Sequence, residues 1–405
     1  MRPSSPTPVG AAGGNRTPPS AANRLRTSSE PAANRPPRTT RSATMTDVAE
    51  RTHRRTVWRV VLVTQLCLAL VTGIAVALVY RHVDRRIDEG APISHAGGVE
   101  RAEPRLPTSA LNVVVLGTDE RACEGCGIDR EAGGGGADVT MLLHVADGRR
   151  AAYGISIPRD TLVDRPNCRV DGEVVPGVAG AAWNEALAVG GPACAVAQVE
   201  AVTGIYVDHY VVVDFGGFKE MVDAVDGVEV CIPEEIDDDE HNIHLDSGTQ
   251  VLDGEDSLAY VRQRTSTPNA DLGRMRRQQA FIASMVAKVL SARTLARPDR
   301  LVSFASAVAG SIQTDPELAS VSEIVDLAAS LRQGRLGKIR FVTAPVVELP
   351  RDDPNWGRVE LTSEADELWR RVAADQPLGE LGRGASSGRR PGGSRADAAA
   401  NGLCS

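Results

Sequence analysis

Residues 57–80 are apolar at nearly every position, broken by Arg59 near one end and by Thr64, Gln65 and Thr72. A helix rises 1.5 Å per residue, so about 20 residues cross a ~30 Å hydrocarbon core, and the run predicts a transmembrane helix. A cleaved signal peptide is the other reading. The run is long for one, and His82, Asp84, Arg85 and Arg86 follow where a small-residue cleavage site belongs. Trp58 and Tyr80 fall at the two ends, where interfacial aromatics sit. Arg51, Arg54, Arg55 and Arg59 precede the run and place the N-terminus in the cytoplasm by the positive-inside rule, against an opposing cluster at Arg81, Arg85 and Arg86.

The pattern changes beyond the linker at 81–110. Short runs rich in β-branched residues at 112–116, 139–145, 152–157, 207–215, 227–232 and 339–343 predict strands. Between them, 179–188, 194–202, 218–225, 280–290 and 299–332 read as helices. Strands alternating with helices indicate an α/β fold, a sheet with helices on its faces. Residues 1–56 and 378–405 lack an apolar period and are rich in Pro, Ser, Gly, Ala and Arg, a disordered composition. The expected organisation is a basic cytoplasmic tail (1–56), a membrane helix (57–80), a linker (81–110), an extracellular globular domain (111–377) and a second tail (378–405). Met45 opens a stretch that would itself serve as a protein start.

Charge removes one class of partner. The formal net charge is −8, and a nucleic-acid binder is usually basic. Lys219, Lys288 and Lys338 are the only lysines, so the choice of arginine at any one position carries little information. There are seven cysteines. In an exterior domain the Cys123/Cys126 pair, set in a glycine-rich loop, reads as a disulfide; a redox motif or half a zinc site are the alternatives. Cys168–Cys194 is the favoured second pair, which leaves Cys231 without an assigned partner. These cysteines suit an oxidising compartment and so support a plasma-membrane protein whose domain faces outward.

Residues 258–279, LAYVRQRTSTPNADLGRMRRQQ, concentrate the candidate chemistry. Arg262 and Arg264 are two apart and would share a face of an extended segment. Beyond a turn at Pro268, Asn269 and Asp271, a helix opens with Arg274, Arg276, Arg277, Gln278 and Gln279, and 274 and 278 share one of its faces. Guanidinium forks match phosphate oxygens in pairs, and a helix N-terminus adds N–H donors. The stretch reads as a polyanion clamp, or else as a solvated basic face. Asp119 and Asp138 stand at strand ends. Taken singly, each reads as an Asx-turn or a cap. Taken with Arg159, Arg262, Arg264 and Arg274, they are the parts for metal-assisted phosphoryl transfer, since Mg²⁺ takes one or two carboxylates plus substrate phosphates.

The motifs LGTDER (116–121), ADVTMLL (137–143), SIPRD (156–160), Asn184/Ala186 with Gly190/Gly191, VEAVTGIYVDHYVVVDFGGF (199–218) and LDGEDSLAYVRQR…DLGRMRRQQ (252–279) occur in one order. Over residues 111–292 the chain resembles the LytR-CpsA-Psr family of envelope phosphotransferases. That resemblance implies an α/β/α domain around a central mixed sheet, behind a single membrane helix. It implies transfer of a glycopolymer from a polyprenyl-pyrophosphate carrier to peptidoglycan, leaving a phosphodiester. By the same resemblance, Asp119 and Asp138 hold a Mg²⁺ or Mn²⁺ ion. Arg159, Arg262, Arg264 and Arg274 bind pyrophosphate and stabilise the transferred group; Asp271 and Gln278 hold those arginines and the head group. Two positions depart from the family pattern: Gly136 stands for an arginine and Ala182 for a lysine, so either the donor is bound more weakly or Arg121 or Arg130 substitutes from the neighbouring loop. A lipid-donor pyrophosphatase, a transcriptional attenuator and a non-catalytic glycopolymer-binding protein are the competing functions.

Overall fold

The structure, a computed structural model, describes residues 45–93, 110–118, 136–149, 151–170, 172–239, 243–263, 270–289, 291, 294, 296–333 and 339–384. The chain divides into two units, Met1–Ala69 and Leu70–Ser405, and the division falls inside the first helix, α1 (Met45–Asp84). Its stretch from Thr56 to Asp84 is long and apolar enough to cross a membrane. Its large apolar side chains, from Val57 to Tyr80, are exposed.

Helix α1 exceeds the predicted span at both ends. It begins at Met45, inside the expected tail, and continues past Tyr80. The extension at 81–84 is held by tertiary contacts. Val83 is buried, and Asp84 Oδ1 accepts from the Val321 N–H at 3.0 Å. The expected linker also contributes a strand, β1 (Asp88–Glu89).

In chain order there follow β2 (Leu111–Thr118), β3 (Ala137–Val145), β4 (Ala152–Ile157), β5 (Leu162–Arg165), β6 (Cys168–Val170), β7 (Glu173–Val175) and β8 (Val178–Ala182). Helix α2 (Glu185–Thr203), β9 (His209–Asp214), α3 (Phe215–Ala224), β10 (Val228–Ile232), β11 (Ile236–Asp238), β12 (Ile243–Leu245) and β13 (Gly248–Leu252) come next. The last third carries α4 (Gly254–Arg262), α5 (Ala270–Val289), α6 (Pro298–Ser311), β14 (Ile312–Thr314), α7 (Val321–Gln333), β15 (Ile339–Thr343), β16 (Val346–Glu348), β17 (Val359–Leu361) and α8 (Ser363–Ala373).

The central sheet has the order β1-β14-β9-β2-β3-β4-β15. Strands β2, β9, β4 and β15 share one direction, while β3 runs antiparallel between β2 and β4. The sheet is therefore mixed, with helices flanking it. One core joins Val114, Leu116, Leu142 and Ile155 to Val196 and Val199 of α2 and to Leu368 and Trp369 of α8. A second joins Phe215, Val222, Val228, Ile243, Leu252, Leu258, Tyr260 and Phe281, from α3, α4, α5 and the β10–β13 hairpins. Leu378 is buried in the first core and residues 379–384 form a 3-10 turn, so the folded domain runs beyond the predicted tail boundary at 378.

Of the helix predicted at 179–188, residues 179–182 belong instead to strand β8, which pairs with β5, and the helix begins only at Glu185. The two predicted helices then appear as one, interrupted where Gly190 and Gly191 leave helical geometry ahead of Pro192. Helix α2 is itself apolar enough to pass for a membrane span, but it is largely buried in the core. The Cys168–Cys194 disulfide forms as expected, with Cα atoms 5.3 Å apart. Gly190 lies against it. A Cβ there would stand 2.7 Å from Cys194 Cβ and 2.9 Å from Cys168 Cβ, so only glycine fits. Cys123 and Cys126 lie outside the described residues. Cys231 is disulfide-bonded, while Cys67 is free on α1.

His209 is half-buried and ion-paired. Its Nδ1 lies 3.1 Å from Oδ1 of the fully buried Asp315, which also accepts from the Tyr210 and Leu318 N–H groups. The hydrogen bond to Asp315 raises the His209 pKa above its usual value, burial opposes the rise, and Asp315, Asp208 and Glu317 add attraction. A raised folded-state pKa contributes stability that is complete below the unfolded value, about 6.5, and lost as pH climbs through the folded value. The melting-temperature gap between the full chain and His209→Asn should therefore be widest below about pH 6.5 and narrow at higher pH. A gap that is constant with pH would show that the charged pair contributes nothing.

Candidate active site

The mixed sheet decides which chain ends meet. The carboxyl ends of β2, β9, β4 and β15 share one rim with the amino end of β3. Thr118 pairs with both Ala137 and Asp214 at this rim. Asp138 sits one residue into β3, and Arg159 two residues beyond β4. Arg159 Nη1 donates to Asp138 Oδ1 at 2.6 Å, and Arg159 Nε stands 3.5 Å from Asp160 Oδ2. Both members of the first pair remain about one-fifth exposed, at 21% and 23% of their side chains. The pair is accessible from solvent and not sealed in the core.

The arginine-rich stretch reaches the same rim by another path. Arg262 is the last residue of α4, not part of an extended strand as the spacing suggested. Asp253 caps that helix by accepting from the Asp256 N–H at 3.0 Å, and Arg262 at the far end complements its dipole. The Arg262 guanidinium lies over the Phe215 ring, 4.7 Å from its centroid. Phe215 follows Asp214 directly at the carboxyl end of β9, and Asp214 caps α3 by accepting from the Gly217 N–H. Arg262 is thus brought to the rim by an aromatic platform, an arrangement that favours a planar guanidinium over an ammonium.

Helix α5 begins at Ala270, so Arg274 lies beyond its first turn and cannot mark its N-terminus as expected. Arg274 is buried at 5% exposure. Gln278 donates to Val261 O at 3.1 Å and ties α5 to α4. Asp119, Arg121, Arg130 and Arg264 lie outside the described residues, as does the Asp271 side chain.

Residues of the same stretch that were not singled out as ligands do the structural work. Arg277, 2% exposed, donates through Nη2 to the carbonyl of Gln263, next to Arg262. Burial lowers its pKa, with Tyr260 opposing; burial pushes the Tyr260 hydroxyl up to about 12, with Arg277 opposing. Gln279 donates to Ser156 Oγ at 2.9 Å and Thr343 Oγ1 at 3.3 Å, on β4 and β15. Asp160 binds Arg358 Nη1 at 2.6 Å as well as Arg159. Nothing in the sequence separates Arg277 and Gln279 from Arg274 and Gln278, because residues in one run of a helix differ only in the face they occupy.

Gly136 and Ala182, the two positions where the resemblance led us to expect cations, lie near Asn184. The Asn184 carbonyl accepts from Ala137 N–H, and its own N–H donates to Arg159 O, each at 3.2 Å. A Cβ at Gly136 would stand 3.2 Å from Asn184 O and Nδ2, so a larger residue there requires Asn184 to shift. Ala182 is buried at 3% exposure.

For a divalent cation, Asp138 offers a partly exposed carboxylate. Arg159 is its one side-chain partner among the described residues, bonded through Oδ1 alone, so Oδ2 remains open to an ion. That donor set fits the single-carboxylate share that Mg²⁺ takes beside phosphate oxygens. Among the described residues, two other groups have ligand spacing, His209/Asp315/Glu317 and Asp237/Asp239/His244; neither includes Asp138. His244, in the exposed acidic hairpin, is already engaged with Asp237 at 2.6 Å.

Replacing Gln279 with leucine keeps volume but leaves the buried Ser156 hydroxyl and the half-buried Thr343 hydroxyl without their donor. The cost should be ~1–3 kcal/mol, read as a lower denaturant midpoint of the full chain. An unchanged midpoint would mean that α5 is held to the sheet by packing alone.

Comparison with known proteins places these residues in a family. Residues 82–371 match the model of the LytR_cpsA_psr family. The Corynebacterium glutamicum cell wall biosynthesis protein LcpA is 35% identical over 229 residues, covering 52% of this chain and 43% of LcpA. The chain spans about half the length of the corynebacterial relatives it matches. The Enterococcus faecalis polyisoprenyl-teichoic acid–peptidoglycan teichoic acid transferase TagU is 30% identical over 261 residues, covering 64% of this chain and 78% of TagU. Among solved structures, the LytR-Csp2A-Psr enzyme from Actinomyces oris superposes with a TM-score of 0.53 at 22% identity, covering 71% of this chain and 96% of that one; the likeness is one of fold. A family match across the sheet, its rim and the helices that carry the arginines leads to one conclusion: the chain belongs to the LytR-CpsA-Psr family.

Proposed function

We propose that this protein is a membrane-anchored phosphotransferase that moves a cell-wall glycopolymer from a polyprenyl-pyrophosphate carrier to peptidoglycan. The observation that carries the proposal is the convergence of Asp138, Arg159 and Arg262 on one sheet rim from three separate chain segments. Loops at the carboxyl ends of α/β strands are where such sheets bind ligands. The teichoic acid–peptidoglycan transfer of TagU and the cell wall biosynthesis role of LcpA support this reading. Helix α1 supplies the anchor; an N-terminus in the cytoplasm and a domain outside follow from its arginine flank.

In this reading Arg159, Arg262, Arg264 and Arg274 receive the pyrophosphate. Their charge-assisted hydrogen bonds strengthen as charge builds on the transferred phosphoryl group. Arg159 rests between two carboxylates, Asp138 and Asp160, so it is oriented before the substrate arrives. Arg262 keeps its planar cation over Phe215 and presents an edge to the anion. Asp271 and Gln278 position these groups. Asp138, with Asp119, would hold a Mg²⁺ or Mn²⁺ ion, which when bound neutralises charge on the pyrophosphate. The acceptor is a sugar hydroxyl of peptidoglycan; its oxygen forms the new bond to phosphorus, its proton leaves to solvent or a carboxylate, and the polyprenyl phosphate departs.

Two measurements test the proposal on the full chain in detergent. Chelation should abolish transfer, and Mg²⁺ or Mn²⁺ should restore it; transfer that survives chelation removes Asp138 from any metal role. Arg262→Lys keeps the charge but loses the fork and the planar stack, and turnover should fall roughly 30- to 1000-fold, the range for losing one transition-state donor. Arg340→Lys, on an exposed position, is the control and should change little. Activity of Arg262→Lys within about threefold of wild type, well short of the ~1.4 kcal/mol that marks a tenfold change, would remove Arg262 from the clamp.

A further inference from the structure

The hairpin formed by β16 and β17 presents an aromatic side chain beside the rim that no step of the proposed transfer uses. The chain has four tryptophans. Trp58 lies on α1, and Trp183 and Trp369 are buried at 3% exposure each. Trp356 is 62% exposed at the hairpin tip.

The tip is built, not slack. Asp353 N–H donates to Pro350 O, Trp356 N–H to Asp353 O and Arg358 N–H to Asn355 O, each at 3.0 Å. Asn355 N–H donates to Asp353 Oδ1 at 2.7 Å. The hairpin is also fixed to the rim. Val359 N–H donates to Asp160 O at 3.2 Å, Thr161 bridges Val359, and Arg358 Nη1 donates to Asp160 Oδ1 at 2.6 Å. Asp160 also holds Arg159, which holds Asp138. A continuous chain of ionic contacts therefore runs from the tryptophan loop to the candidate reaction centre.

An indole face carries negative quadrupole density and stacks on apolar, slightly positive surfaces. The C–H-lined face of a pyranose ring is such a surface. Exposed Asn355, Asp352 and Arg351 supply hydrogen-bonding groups for hydroxyls around it. Charge selects between the two sugars of the reaction. Residues 348–360 hold four carboxylates (Glu348, Asp352, Asp353, Glu360) against two arginines, a net of −2, and Arg358 is already paired. That balance disfavours the pyrophosphate-bearing end of the donor and leaves stacking on an uncharged pyranose face as the main attraction for a glycan. Resting on the transferase reading above, we propose that Trp356 and its hairpin form a subsite for the peptidoglycan acceptor, stacking a pyranose of the glycan strand and delivering its hydroxyl toward Arg159.

The probe is peptide-free glycan strands prepared from peptidoglycan, added to the full chain in detergent. Strands should shift the indole N–H resonance of Trp356, assigned by its absence in Trp356→Phe. Trp356→Ala should bind strands about tenfold more weakly, in the range of aromatic anchors, and Trp356→Tyr should recover most of the loss. In the transfer assay Trp356→Ala should raise KM for the acceptor about tenfold, with kcat and donor KM unchanged within twofold. A resonance unmoved by strands, or moved by lipid-linked donor or lipid vesicles instead, overturns the subsite; so does a change confined to donor KM. Strand binding needs no turnover. If strands bind through Trp356 while no transfer occurs, the transferase reading fails alone; if transfer proceeds and Trp356→Ala leaves acceptor KM unchanged, the subsite fails alone.

Discussion

A guanidinium or amide taken out of water must find acceptors, and helix α5 buries several at once. Arg274, Arg277 and Gln279 are each 5% exposed or less, on a helix that also buries Met275 and Phe281. Leaving such donors unanswered costs more than the hydrogen bonds themselves supply. The surroundings are arranged to answer them. Arg277 meets the Gln263 carbonyl, and Gln279 meets hydroxyls on β4 and β15. These contacts fix α5 against the central sheet and fix the end of α4 against α5. The position of Arg262 over Phe215 is a consequence of that docking.

The direction of one strand matters as much. Asp138 stands near the start of β3, and Arg159 follows the end of β4. In an all-parallel sheet those positions would lie at opposite edges, some five residues of strand apart, or about 17 Å. Because β3 runs antiparallel between β2 and β4, they meet at 2.6 Å. The same reversal brings Thr118, the residue before Asp119, into register with Ala137.

The longer strands were legible because they are buried and rich in Val, Ile and Leu; 339–343 emerged with the predicted limits. Strands β1 and β14, of two and three residues, are too short to show a period, and 312–314 was absorbed into a predicted helical stretch. The segment 178–182, Val-Ala-Gly-Ala-Ala, has helical composition yet pairs with β5, a choice made by tertiary contact. The hairpin and helix over 346–373 went unassigned. The arginine cluster was found by density, but density does not tell a ligand from a brace. Within that cluster Arg262 lies over the Phe215 ring, while Arg277, fifteen positions on, is buried under a carbonyl.

The two positions expected to carry cations meet at one place. Gly136 packs on Asn184, Ala182 lies two residues before it, and the Asn184 backbone bonds both Ala137 and Arg159. Two further cations at these positions would compete with Arg159 for the Asp138 carboxylate, because charges within a few ångströms in a partly desolvated site interact strongly. Their absence leaves Arg159 as the sole side-chain partner of Asp138 among the described residues, and Asp160 steadies it from the other side. Their absence also frees the Asn184 turn to approach β3 more closely than an arginine at 136 would permit.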